Sequence, residues 1–387
     1  MEAPQRVFAP GTGAAPPALT GREREQGELK QCLADLLGGE APPHDVALMG
    51  PRGNGKTVLL NWFDRACREA GRIDTARLLP SRIRTEQAVV DALLPVSVIR
   101  KILPRKLGVA GVGQAEWAGR EPSAQDLTDR LTVRCRRKPV VVLVDEAHTL
   151  ARDVGQLLLN VSQEVRANAP LLLLLAGTPG LPAHLGTMNA SVWSRLGEGR
   201  LGIGLLSEAA TRTALVEPLA AHGVSIDPGA LDTVVEHSQR YPYFIQLWGA
   251  ALWKQRLASG ATRLTAAHLD AARPDVMARV TDYYQDRYRE LEARGLLPAA
   301  VAVAPLFEIG DATASDHDLD AALAATGDDA AGRLAAREEL HRLGYLWSPP
   351  GQLPPVVWIA GIPSLTTYVR DHAPPRHEDA NAESGSH

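Results

Sequence analysis

The sequence predicts an α/β fold in its first half and a helical region after it, on three observations. Two runs apolar at every position, Val140–Val144 and Leu171–Ala176, flank a helical pattern over Val154–Ala167. Strands buried on both faces, as in a parallel sheet with helices on each side, read this way. A shorter run, Val46–Met49, leads into a glycine-rich turn, and a helical pattern from Thr57 to about Ala70 follows it. From Ser207 to about Leu296 strand signals stop and helical periodicity takes over.

The remaining elements fit around that frame. Residues 1–20, MEAPQRVFAPGTGAAPPALT, are rich in Pro, Gly and Ala and predict a flexible leader. Glu23–Leu37 places Leu29, Cys32, Leu33, Leu36 and Leu37 at helical spacing, and Gly38-Gly39 ends the helix. After the turn at Gly71, Thr75–Leu79 reads as a second strand, with helical segments at Thr85–Leu94 and Ser97–Lys106. Leu107–Gly119 alternates small and apolar residues between glycines, which suits a short hairpin or a loop. Ser123 then caps a helix to Arg137.

The α/β region is expected over 21–205 and a separate helical domain over 206–296, with helices at Ser207–His222, Asp227–Gln239, Tyr243–Ala258 and Thr265–Ala293. Residues 297–372 hold three short helical segments and then two strand candidates, Gly344–Trp347 and Val356–Ile359, around the turn SPPGQLPP. Helices followed by a hairpin predict a winged helix. Residues 373–387 are polar and Pro-bearing, a composition that predicts a disordered tail.

Composition narrows the class. With 387 residues, the chain exceeds what one core usually organises, and 45% hydrophobic with 22% charged residues is an ordinary globular balance. A formal net charge of -4 advertises neither nucleic acid nor an anionic membrane. The most apolar run, Leu171–Ala176, is too short to span a bilayer. Cys32, Cys67 and Cys135 stand far apart without a C-x-x-C spacing, which argues against a disulfide framework or zinc site and for a cytoplasmic location.

Gly50-Pro51-Arg52-Gly53-Asn54-Gly55-Lys56-Thr57 matches G-x-x-x-x-G-K-[ST]. Its glycines let backbone N–H groups wrap a phosphate at the positive end of the next helix. Lys56 suits the β and γ phosphates of ATP, and the Thr57 hydroxyl suits Mg²⁺. The run Val140–Val144 ends in Asp145-Glu146-Ala147-His148. Asp145 is the expected holder of the Mg²⁺ shell and Glu146 the group that polarises an attacking water, whereas His148 reads as a bystander. Leu171–Ala176 ends in Gly177-Thr178, and Thr178 at that strand end is placed to contact the γ-phosphate or the water.

In this combination the chain resembles the AAA+ ATPases, and within them the origin-recognition-like and STAND-like prokaryotic types. Gly21-Arg22-Glu23 is similar to the GRE segment near the adenine, DEAH at 145–148 to the Walker B segment, and AGTP at 176–179 to sensor 1. The resemblance implies strand order 5-1-4-3-2, a helical lid, and an arginine finger acting on a neighbouring subunit's ATP, for which SVWSRLGEGR offers Arg195 or Arg200. Ser238–Gln246 resembles the GYPYFIQ segment of STAND-type lids, with Pro242 matched and Arg240 in place of the expected glycine. That arginine is itself a candidate sensor 2 group.

The C-terminal region, including Gly361–Leu365, resembles winged-helix domains attached to such ATPases. Its candidate recognition helix, Ala331–Leu343, carries Arg333, Arg337, His341 and Arg342 but also Glu338 and Glu339. DNA and protein both stay open as partners of this region, since the positive surplus is modest. The expected function is ATP hydrolysis with Mg²⁺, with ATP and ADP as ligands and ATP-driven self-assembly as a possible output. The alternative is a slow nucleotide switch or DNA-binding regulator.

Overall fold

The computed structural model describes residues 4, 6–11, 13, 19–94, 124–189, 191, 196–308, 312–350 and 356–374. The expectations for 97–106, 107–119, Ser123, Arg195 and the tail after 374 lie outside these residues. The described residues form two compact units, one from Gly11–Gly50 and Gly55–Gly204, the other from Met1–Pro10, Pro51–Asn54 and Leu205–His387.

The first unit is built on a five-stranded parallel sheet. In chain order its elements are α1 (Glu23–Gly38), β1 (Val46–Met49), α2 (Lys56–Glu69), β2 (Asp74–Leu78), α3 (Glu86–Leu93) and α4 (Ala124–Arg137). They continue with β3 (Val140–Val144), α5 (Arg152–Arg166), β4 (Leu171–Gly177), α6 (Leu181–Met188) and β5 (Arg200–Gly202). The strands run β2-β3-β4-β1-β5, which is the 5-1-4-3-2 order that the resemblance implied.

The continuous apolar runs are explained by burial on both faces. Val46, Leu48, Val141, Leu143, Leu172, Leu174 and Ala176 pack with Leu29 and Leu36 of α1 and Leu59, Leu60 and Phe63 of α2. The intervening residues Ala47, Val140, Val142, Val144, Leu171, Leu173 and Leu175 are buried as well. On that side α3, α4 and α5 pack on one another, with α3 on β2 and α5 on β4. One carboxylate lies inside this core. Asp45, before β1, accepts from Ser162 Oγ (2.9 Å) and from the Leu173 N–H (3.2 Å), and it pairs with Arg166 at 3.3 Å. A buried charge held by this many partners is tolerated, whereas removing one of them leaves a costly orphan.

The second unit is mainly helical. It contains α7 (Glu208–Ala220), β6 (Ser225–Ile226), α8 (Pro228–Ser238), α9 (Pro242–Ser259), β7 (Arg263–Leu264), α10 (Ala266–Ala293) and α11 (Leu297–Val303). Then come β8 (Ala314–Ser315), α12 (Asp316–Leu323), α13 (Ala330–Leu343), β9 (Leu346–Trp347), β10 (Val357–Ala360) and α14 (Leu365–His372). Strands β8, β10 and β9 form an antiparallel sheet in that order, and β6 and β7 pair in parallel. The division expected at 296/297 does not appear in the packing. One apolar core runs from Leu215, Phe244 and Trp248 through Tyr284 and Leu291 to Val303, Leu340, Trp358 and Val369.

The leader departs from the flexible segment that its composition predicts. Phe8 is buried in this core, and the Ala9 N–H donates to Gln246 Oε1 (3.3 Å). Trp253 Nε1 donates to the Pro4 carbonyl (3.0 Å). Gly249 makes room for the ring, since a Cβ there would stand 2.4 Å from Phe8 Cδ1. Burying one phenylalanine contributes about 2–3 kcal/mol, enough to pin a short segment.

Candidate nucleotide-binding site

The site is laid out by strand register. Met49 pairs with Gly177, so Gly50 begins the glycine loop beside Thr178 on the adjacent strand. Val144 pairs with Leu175, which brings Asp145 level with Ala176 on the far side of β4. Parallel neighbours lie about 4.8 Å apart, so the exits of β1, β3 and β4 meet at one sheet edge. Carboxyl ends of strands are where α/β sheets bind ligands.

The loop fits a polyphosphate. Gly50 lies so close to the chain beyond β5 that a Cβ would stand 2.2 Å from the Ile203 carbonyl oxygen. Gly53 and Gly55 take φ of 80° and 91°, left-handed conformations that glycine adopts without penalty. Gly55 caps α2 with no side-chain acceptor, leaving its first-turn N–H groups to face the loop. Lys56, the first residue of α2, is buried, and its Nζ donates to the Gly50 carbonyl (2.8 Å). A lysine held inside the loop by a backbone carbonyl is pre-placed for phosphate.

Asp145 is buried, and its Oδ1 accepts from the Glu146 N–H at 3.0 Å. Its other oxygen pairs with Arg77 of β2 at 3.3 Å. Arg77 also donates to Asn61 Oδ1, and Asn61 Nδ2 donates to the Gly13 carbonyl (2.5 Å). Glu146 has φ 52°, an uncommon conformation for a non-glycine residue. Its carbonyl is held by the Thr149 N–H (2.9 Å) and Oγ1 (2.8 Å). The Glu146 side chain is half exposed and faces His148 Nε2 at 3.5 Å, while His148 Nδ1 accepts from the Thr178 N–H at 3.4 Å. Thr178 is buried. The Thr57 hydroxyl and Asp145 carboxylate are hard oxygen donors of the kind that Mg²⁺ takes.

Residues 18–175 match the family model of the AAA ATPase domain. No curated protein matches the chain. Among solved structures it is similar to a Walker-type ATPase of Pyrococcus abyssi, at 16% identity and TM-score 0.61, over 90% of this chain and 95% of that one. It is also similar to the Aeropyrum pernix ORC2 protein in ADPNP–ADP complexes, at 15% identity and TM-score 0.55, over 98% and 100%. A third is Cdc6p of Pyrobaculum aerophilum, at 14% identity and TM-score 0.52, over 95% and 98%. The fold is that of the P-loop AAA+ ATPases.

Within the AAA+ sheet unit, Arg22 is buried, with Nη2 donating to the Gly204 carbonyl (2.6 Å) and Nη1 to Gly21 O (3.4 Å). Burial pulls its guanidinium below the usual arginine range, against the opposing charges of Glu25 and Glu23. Arg200 stands beside Ala47, two residues before Met49 in the register, and its Nε donates to Gly197 O (2.9 Å).

Loop residues Pro51–Asn54 belong to the helical unit, where the fully buried Tyr241 donates its hydroxyl to the Arg52 carbonyl. Tyr283 Oη lies 3.0 Å from Tyr241 Oη, and the Arg52 guanidinium pairs with Glu290 at 3.5 Å. Pro242 occupies the first turn of α9 in the same unit.

Sequence reasoning missed two contributors at the sheet edge. Arg77 lies in a strand that carries no motif, and only the register of β2 against β3 brings it to Asp145, whereas His148, which reads as a bystander, follows Glu146 by two residues and stands 3.5 Å from its carboxylate. The signal for His148 was its place three residues after Asp145, in a turn too tight to point it far away. On α13 the arginines have acidic partners. Arg333 pairs with Asp320 (2.8 Å), Arg337 with Asp316 (2.9 Å) and Arg342 with Glu339 (3.2 Å). His341 is packed between Trp347 and Trp358, with ring centroids at 6.1 and 5.1 Å.

Proposed function

We propose that this protein binds ATP with Mg²⁺ and hydrolyses it, coupling nucleotide state to its helical unit. The observation that carries this reading is the convergence of Lys56 and Thr57, Asp145 and Glu146, and Thr178 at the exits of three neighbouring strands. The loop N–H groups and Lys56 bind the phosphates, and Arg22 lies on the segment expected near the adenine. When bound, Mg²⁺ supplies charge neutralisation at the phosphate oxygens, and Thr57 and Asp145 hold it. Glu146 orients and polarises the attacking water, accepting its proton, while Thr178 fixes the position of the reacting end.

In this reading the antiparallel sheet of β8, β10 and β9 with α11–α13 serves as a winged-helix-like domain, and the cytoplasm is its place of work. Arg195 is the proposed finger acting on a neighbour's nucleotide, with assembly favoured by ATP. The internal ion pairs of Arg333, Arg337 and Arg342 leave α13 little charge for phosphate neutralisation, which favours a protein over DNA as partner of this domain.

One observation favours the second reading, a slow nucleotide switch. Asp145 is already paired to Arg77, a cation with which Mg²⁺ must compete. Steady-state phosphate release by the wild type and by Glu146→Gln separates the two. The hydrolase reading expects a loss of roughly 100-fold or more with nucleotide affinity retained. Equal rates would leave the switch.

A further inference from the structure

We propose that His148 is a positioning residue that aims the Glu146 carboxylate and ties it to the end of β4, an inference that rests on the hydrolase reading above. A water-activating carboxylate must be held within about half an ångström of its working position. The Glu146 backbone meets that demand, anchored by Asp145 and Thr149 in a left-handed conformation. Its side chain has three rotatable bonds and is 53% exposed, so the backbone alone does not aim it. Among the described residues, His148 Nε2 stands 3.5 Å from that carboxylate.

The hydrogen bond on the other ring nitrogen fixes which tautomer faces the glutamate. The Thr178 N–H donates to Nδ1 at 3.4 Å, so Nδ1 offers its lone pair and the ring proton of the neutral imidazole sits on Nε2. That nitrogen lies 3.5 Å from Glu146 Oε2. The ring itself is largely buried, with 15% of its side chain exposed. One imidazole therefore spans from the strand end proposed to meet the γ-phosphate to the residue proposed to activate water. A shift at Thr178 moves the ring, and the ring moves the carboxylate.

A double-mutant cycle on the full chain tests this. His148→Ala is expected to lower kcat roughly 10- to 100-fold, with ATP affinity changed less than about threefold. His148→Gln, whose amide presents an acceptor and a donor, is expected to recover most of that loss and serves where the alanine variant is unstable. Because His148 acts through Glu146, adding His148→Ala to Glu146→Gln is expected to cost nothing further. Additive losses, or a His148→Ala protein as active as the wild type, overturn the proposal while leaving the hydrolase reading intact. A wild type that releases no phosphate removes both. The ¹⁵N shifts of the His148 ring give a readout independent of turnover. The Nε2–H form is expected, and an Nδ1–H form overturns the proposal.

Discussion

The edge that carries Gly50, Asp145 and Thr178 and the corner formed by Gln239, Arg240 and Tyr241 both hold backbone in place, by opposite means. At the edge, backbone constrains backbone. Strand pairing sets Met49 against Gly177 and Gly202, and the Ile203 N–H donates to the Met49 carbonyl (2.7 Å). Asp145 there pairs with the charged Arg77, and Glu146 faces the His148 ring. At the corner, side chains do the holding. Tyr241 packs edge-on against Phe244, with centroids 4.8 Å apart, and lends its hydroxyl to the Arg52 carbonyl. Gln239 Nε2 donates to Ser364 Oγ (2.6 Å). A constraint made of backbone cannot be relieved by a rotamer change, whereas one made of side chains can.

The sharpest way to break that contrast is a methyl group on each side of the glycine loop. In Gly50→Ala the new Cβ meets the Ile203 carbonyl oxygen at 2.2 Å, and relief requires β1 and β5 to part. The expected cost is about 3 kcal/mol, the upper end for overpacking, together with lost ATP affinity. In Gly53→Ala the Cβ meets Tyr241 Oη at 2.5 Å, and the residue keeps a φ of 80°. Since a side chain can move, about 1–2 kcal/mol is expected there. Urea midpoints of the two variants measure the difference, and equal losses would erase the distinction.

The next effect is a pH dependence that belongs to the helical unit. Burial among Trp347 and Trp358 lowers the His341 pKa from 6.5 to about 4, with no charged group contributing. The folded value lies below the unfolded one, so between these limits the unfolded chain binds more protons and stability rises with pH. The contribution is complete above pH 6.5 and is lost as pH falls toward 4. Its size is on the order of 3–4 kcal/mol, taking 1.36 kcal/mol per unit. Urea unfolding of wild type and His341→Phe from pH 4 to 7 isolates it as the difference between the two curves. Parallel curves would mean that the ring is not held neutral by burial.

What the sequence made legible follows the same divide. Strands β1, β3 and β4 were readable because burial on both faces leaves an uninterrupted apolar run, and the glycine loop because its chemistry demands fixed spacing. Three-residue β5 carries too little pattern to detect. Arg77 was invisible as a neighbour of Asp145 because that contact is set by register between strands, which no local spacing encodes. The partners of Arg333 and Arg337 were not legible because Asp320 and Asp316 lie 13 and 21 residues away along the chain. Phe8 was lost in a Pro- and Ala-rich segment because composition averages over the one residue that packs. The corner at 239–241 lay between the two cases. Its resemblance called for a glycine, and the arginine standing there gave no hint of the backbone it adopts.

That corner supplies the smallest of the expected effects. Gln239 and Arg240 take φ of 49° and 58°, so two successive non-glycine residues are left-handed, and Arg240 adopts the conformation that glycine would take at no cost. Its carbonyl accepts from the Leu206 N–H (3.0 Å), which helps to hold the turn. Arg240→Gly removes the left-handed penalty but loosens the unfolded chain, and the net expectation is a gain of about 0.5–1 kcal/mol. If the side chain also serves as a sensor 2 group, ATP affinity falls in the same variant that becomes more stable. Urea midpoints and nucleotide titrations on one protein read both terms. A loss of stability would mean that the arginine side chain contributes more than its backbone costs.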